Sequence, residues 1–279
     1  MLESLNISFL TRRPFAALVV GFVYTIIGYL VASFFFEAFV SIPMLFLSTL
    51  LIIPSLMKLL SIEEKRERKY GLKHFFLMHK DVTEIYLFLF LGVFLGYLLL
   101  GMLIPQGPFQ NVFAYQLDYL AEKQSFDAET LQKFFQEPFQ PSFQHLLGLL
   151  ETDLEVAIVF FLLSFFYGAG AVFLLILNAS IFASFLAAVI RYLAKDLSMS
   201  FIILSFFSIH VIPEVLGFLL AAIAGGVVSK AMLHEEFMST PFRNVLRDAA
   251  ILLIIACCLI IIGNALEVYV TPKLFQAYF

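Results

Sequence analysis

Between residues 154 and 193 the chain runs for 40 residues with only Glu155 and Arg191 as charges. As one straight helix that stretch would reach roughly 60 Å, about twice the hydrocarbon thickness of a bilayer. No ordinary soluble core holds such an element, and no single upright passage does either. The stretch therefore constrains the fold twice: its solvent is lipid, and it is interrupted. Gly168-Ala169-Gly170 is where the backbone is freest to turn, so the break is expected at Gly168 and Gly170. The product is either two crossings or one broken, strongly tilted passage. Two crossings leave Arg191 and Lys195 outside, against the positive-inside tendency. One crossing brings them inside and makes the segment after them enter and return from the same side.

Composition agrees with a lipid solvent. The 279 residues are 62% hydrophobic and 14% charged, with a mean hydropathy of +0.97. Soluble domains carry about a quarter charged residues. There are 35 Phe and no Trp, so Tyr must serve as interfacial anchor. Residues 15–36 and 40–60 read as a helical hairpin turning at Glu37, with Pro54 kinking or loosening the second helix. No A-x-A-like site follows the first run, which reads as a membrane helix rather than a cleavable leader. Residues 83–104 form the third span, and Gly92-x-x-x-Gly96 gives it a close-packing face. Residues 248–270 form the last. Cys257 and Cys258, adjacent in an apolar run, read as packing groups.

Charge sets the expected orientation. Lys65, Arg66, Arg68, Lys69, Lys73 and Lys80 form the densest basic stretch, and Arg12 and Arg13 precede the first span. Positive-inside counting places both in the cytoplasm and the C-terminus outside the cell membrane. Beside membrane helices this basic stretch is topogenic and lipid-attracting, and no nucleic acid is expected as a partner. Residues 105–153 are acidic and rich in Phe and Tyr. Two short amphipathic helices, 112–122 and 127–136, are expected there. So many aromatic groups suit a cap folded onto the bundle or the membrane surface, with a partner-binding face as the alternative.

Residues 199–232 hold a second interruption, Ser208-Ile209-His210-Val211-Ile212-Pro213-Glu214. Proline withdraws a backbone donor and restrains the residue before it, so a helix is expected to stop near His210 and another to start near Pro213. The new helix packs closely through Gly225 and Gly226. Ionisable groups inside a bilayer are costly and become functional candidates by default. Here they are His210 and Glu214, with Asn178 as a neutral companion and Glu267 nearer an edge. A ligand or ion pocket on Asn178, His210 and Glu214 is one reading. The plainer one has His210 bonding Glu214 to cap the break, while Asn178 ties helices together.

Enzyme signatures are poor. His234-Glu235-Glu236 lacks the second His of a zinc-protease helix, and no nucleophile elbow, P-loop or dinucleotide fingerprint is present. One His with one Glu falls short of a zinc site. No catalytic residue, metal or cofactor is expected, and an intramembrane hydrolase is the least favoured alternative.

Asn178 in an apolar helix, then His210-Val211-Ile212-Pro213-Glu214, then Ala224-Gly225-Gly226, resembles the stage II sporulation protein M family of integral membrane proteins. The resemblance covers residues 156–233 and, loosely, the first hairpin and last helix. Val211 stands where the family pattern has Gly, the Gly-rich helix is not a full match, and the aromatic region has no counterpart. The resemblance implies membrane residence and a complex; in spore formers the family member works beside cell-wall-degrading partners and is not itself the hydrolase. The resulting expectation is a single membrane domain over 1–279, all-α and polytopic, with about six to seven membrane segments. Broken or re-entrant helices lie in its C-terminal half, and 105–153 forms a helical extracytoplasmic cap. Its expected role is a non-enzymatic scaffold or permease-like subunit, or alternatively a transporter or channel with a polar site at His210 and Glu214. Its expected partners are the lipid bilayer, other membrane proteins and further copies of itself.

Overall fold

The computed structural model describes residues 13–37, 39–54, 75–124, 140–237 and 239–278, and every regular element among them is helical. The helices are α1 (Phe15–Phe35), α2 (Ser41–Pro54), α3 (Phe75–Leu103), α4 (Gln106–Val112) and α5 (Ala114–Gln124). They continue with α6 (Phe143–Phe166), α7 (Gly168–Leu193), α8 (Leu197–His234), α9 (Thr240–Tyr269) and α10 (Thr271–Tyr278). Five helical stretches are long and apolar enough to cross a membrane: Phe15–Phe35, Thr83–Leu103, Val172–Leu193, Leu197–Leu233 and Thr240–Tyr278. The basic residues Lys65 to Lys73, the end of the second span beyond Pro54 and the expected helix 127–136 lie outside the described residues.

Close contacts fix the direction of each helix. Gly28 of α1 faces Met44 and Ser48 of α2, which sets these two antiparallel about Glu37. Gly21 of α1 lies on Leu89 and Val93, and Thr25 on Gly96, so α1 and α3 run parallel. Any side chain at Gly92 would run into the backbone of Leu18, so this is helix contact at backbone distance. Phe90 meets Phe182 with ring centroids 6.4 Å apart, and Gly101 faces Ala187, which makes α3 and α7 parallel. The remaining contacts extend the alternation: α1, α3, α7 and α9 run one way, α2, α6 and α8 the other.

The interruption in residues 154–193 falls at Tyr167, the one non-helical residue between α6 and α7. Gly170 packs back on Leu163, with only 3.1 Å between an ideal Cβ there and the Leu163 Cβ. In an unbroken helix residues seven apart are separated by about 10 Å along the axis. The chain therefore reverses, and α6 and α7 form a hairpin. Gly225 sits against the backbone of Phe161, and Phe160 stacks on Phe218 at 5.6 Å, which docks α6 beside α8.

The second expected interruption is absent. α8 is one helix of 38 residues with Pro213 inside it. Sequence reasoning put a stop near His210 because proline breaks isolated helices. In lipid the balance differs: proline removes one ladder bond, whereas an open break would orphan several backbone groups with no water to satisfy them. α8 is apolar on all sides and correspondingly buried: residues from Phe218 to Val228 form the centre of the bundle. Gly226 lies within this buried run.

The described part of the aromatic segment folds onto one end of the bundle. Phe109, Phe113 and Leu120 are buried, and Phe113 meets Tyr97 edge-on at 6.2 Å. Gln116 of α5 is fully buried, accepting from Ser41 Oγ (2.7 Å) and donating to Ser180 Oγ (3.0 Å). It thereby ties α2 to α7. Arg191 lies over the Phe109 ring at 4.3 Å and donates to Gly101 O (2.7 Å), Ile104 O and Gln106 Oε1 (3.0 Å). These carbonyls end α3 and lack intrahelical partners, so the guanidinium caps that helix.

Candidate functional site

His210 and Glu214 lie four residues apart on α8, hence on one face of a continuous helix. They do not pair. His210 is buried with its Nδ1 3.0 Å from Thr271 Oγ1 at the start of α10, and its ring stands edge-on to Phe207 at 5.0 Å. Glu214 is 3% exposed, and its Oε1 has no hydrogen-bond partner.

α9 approaches this face at Gly263. A Cβ there would lie 2.5 Å from Glu214 Cγ and 3.1 Å from the His210 carbonyl, so glycine is what allows the approach. The next residue, Asn264, is fully buried. Its Nδ2 donates to Asp153 Oδ2 on α6 (2.7 Å) and to Ile260 O (3.0 Å), while its Oδ1 has no partner. Glu267 follows one turn later on α9 and is half-buried. Glu214 stands in the electrostatic field of Glu267 first and Asp153 second, and Glu267 in that of Asp153. Three helices thus bring three carboxylates and one amide to a single place.

Asn178 does not join this group through its amide: its Nδ2 donates to Leu174 O on its own helix at 2.9 Å. The expected grouping of Asn178 with His210 and Glu214 is thereby replaced by Glu214 with Asn264, Glu267 and Asp153. A sequence signal for two of these exists, since Asn264 and Glu267 are three apart and share a helical face. Asp153 offers none. It sits 61 residues before Glu214 (214 − 153) and reads as the end of a polar segment. Of the glycines singled out in the sequence, Gly92 and Gly96 hold α3 on α1, and Gly225 holds α8 on α6.

Apart from the Asn264 amide nitrogen, whose two hydrogens are given to Asp153 and Ile260, the polar atoms of the Glu214, Asn264, Glu267 and Asp153 side chains are oxygen acceptors. The site's two unpartnered buried atoms, Glu214 Oε1 and Asn264 Oδ1, both call for a donor or a cation. Among the described residues no three His, Cys, Asp or Glu side chains have the spacing to hold a metal ion. The arrangement suits binding or passage of positive charge.

A family model described as Stage II sporulation protein M matches residues 85–272, about two thirds of the chain. The match runs from α3 to the start of α10 and so contains every residue of the site. It reaches beyond residues 156–233 at both ends, taking in the aromatic segment and the last long helix, and leaves out the hairpin α1–α2. Comparison with curated proteins and with solved structures gives no match.

Proposed function

The chain belongs to the stage II sporulation protein M family, and from that premise we propose that it is a non-enzymatic, permease-like subunit of the cell membrane. In this reading Glu214 binds or passes a small positively charged species inside the helical bundle. The observation that carries this is the Glu214 carboxylate, buried with one oxygen unpartnered and two further carboxylates acting on it. Helix-to-helix fastening is best served by satisfied polar pairs, and an orphaned buried acceptor costs about 1–3 kcal/mol. A purely structural His210–Glu214 pair would have the two side chains bonded to each other, and His210 bonds Thr271 instead.

The orientation follows in the same reading. Seven helices alternate in direction, from α1 to α3 and α6 to α9, and we read them as seven crossings, of which α6 is the shortest in apolar length. This is the two-crossing solution for residues 154–193. It puts the N-terminus and the basic stretch in the cytoplasm, and it puts the cap of α4 and α5 outside with the C-terminus.

The test is flux in proteoliposomes, with a pH-sensitive dye inside and defined monovalent salt gradients across the membrane. Wild-type protein should collapse an imposed gradient, and Glu214→Gln should abolish that movement while circular dichroism stays unchanged. Flux that survives the substitution would remove Glu214 from the path. No flux in the wild type, with membrane partners co-purifying, would favour a scaffold.

A further inference from the structure

The species held by Glu214 can be specified further, resting on the permease-like reading. α6 contributes Asp153 and α9 contributes Asn264 and Glu267. On the helix of Glu214 itself stands His210, which is already engaged with Thr271 of α10. Among the described residues the charged groups acting on Glu214 are both acidic, so none of them supplies a compensating positive charge. Two further observations narrow its nature. The spacing of the acidic groups is not that of a metal cage. The unpartnered atoms are both acceptors, one on the carboxylate and one on the amide, each buried to more than nine-tenths. A proton on Glu214 answers both: it needs no cage, and it turns one of the acceptors into a donor.

We propose that Glu214, with Asn264 beside it and with Glu267 and Asp153 as the adjoining carboxylates, forms a proton-binding site between α6, α8 and the last turns of α9. The proton arrives from water, forms one O–H bond on a Glu214 oxygen and leaves by breaking that bond to water. Nothing is oxidised or reduced; the site loses one negative charge when the proton binds and regains it when the proton leaves. Glu267 and Asp153 are positioning residues: Asp153 holds Asn264 in place by accepting from its Nδ2, and Glu267 stands one turn along α9 from Gly263, which packs on Glu214.

The experiment is infrared difference spectroscopy of the full-length protein reconstituted in lipid, read at the C=O stretch of a neutral carboxylic acid. Wild-type protein at neutral pH should show this band, shifted by exchange into heavy water. The band should be lost in Glu214→Gln and weakened at the same pH in Glu267→Gln, which removes one of the two charges acting on Glu214. A wild-type spectrum without the band at neutral pH overturns the proposal. So does a band that disappears on adding sodium or calcium chloride at constant pH, because a cation would then be the occupant. Where Glu214→Gln fails to fold, Glu214→Asp makes the assignment: the band should shift in frequency, and a band left unmoved belongs to another carboxyl and overturns the proposal. The two readings fail separately: the band without flux keeps the proton site and removes the permease, whereas Glu214-dependent flux without the band does the reverse.

Discussion

The site depends on one absent side chain. Gly263 lets α9 come so near α8 that Glu214 is sealed in and Asn264 reaches across to Asp153. Gly263→Ala should therefore destabilise the protein by about 1–3 kcal/mol, because the new methyl meets a buried side chain and a backbone carbonyl. Thermal unfolding in detergent checks this, with Gly107→Ala as the control. Nothing lies within 4 Å of a Cβ at Gly107, and that change should stay within about 0.5 kcal/mol. Equal effects at the two glycines would mean that close approach at Gly263 is not what holds the site. At this scale the sequence reveals the costly residues but not their company. His210 and Glu214 stand out because ionisable groups are rare in apolar runs. Their neighbours Asp153 and Glu267 sit at the ends of runs, where charge is ordinary, and only the pairing of helices brings them in. Asn178 was conspicuous for the same reason as His210, yet its bond to Leu174 O serves its own helix.

At the scale of elements, two interruptions looked alike in sequence and came out differently. The glycines at 168 and 170 sit where α6 must turn back on itself, and Tyr167 leaves the helix there. Pro213 lies within a helix that neighbours enclose, and α8 continues through it. Local rules describe what a residue does to an isolated helix; whether the helix yields depends on what would satisfy the groups set free. Pro213→Ala should accordingly leave the fold intact and not lower the unfolding midpoint, since it restores a backbone donor to a helix that is already continuous. A midpoint that falls would show that α8 relies on a bend at Pro213. The spans of α1 and α3 and the end of α9 are readable to within a residue or two, because their apolar runs are bounded by charge or proline, whereas α9 begins at Thr240, eight residues before the apolar run suggests. The tie made by Gln116 was not, since a single glutamine in an amphipathic helix gives no hint that it faces inward.

Over the whole molecule, the alternation of helix directions makes a claim about sides. The turn after α7 and the start of α6 belong to the face that carries α4 and α5; the turns before α7 and before α9 belong to the opposite face. With Cys257 and Cys258 replaced by Ala, a cysteine at Ala194 and one at Phe237 should react with a membrane-impermeant thiol reagent from opposite sides of sealed vesicles. Labelling of both from one side would remove the two-crossing arrangement of α6 and α7. Sequence alone could not choose that arrangement, because it weighed Arg191 as a free positive charge. In the fold that charge is bound to the end of α3.

Arg191 also has a history within synthesis. On the proposed orientation the insertion machinery must carry one guanidinium to the far side of the membrane at the end of α7, against the usual preference for retaining cations. Its receptor, the carbonyls of Gly101 and Ile104, is translated about ninety residues earlier and so already exists when α7 emerges. The order of translation thus supplies the acceptor before the cation that needs it. A chain with α3 moved downstream of α7 would have to deliver Arg191 with neither carbonyl yet made to receive it.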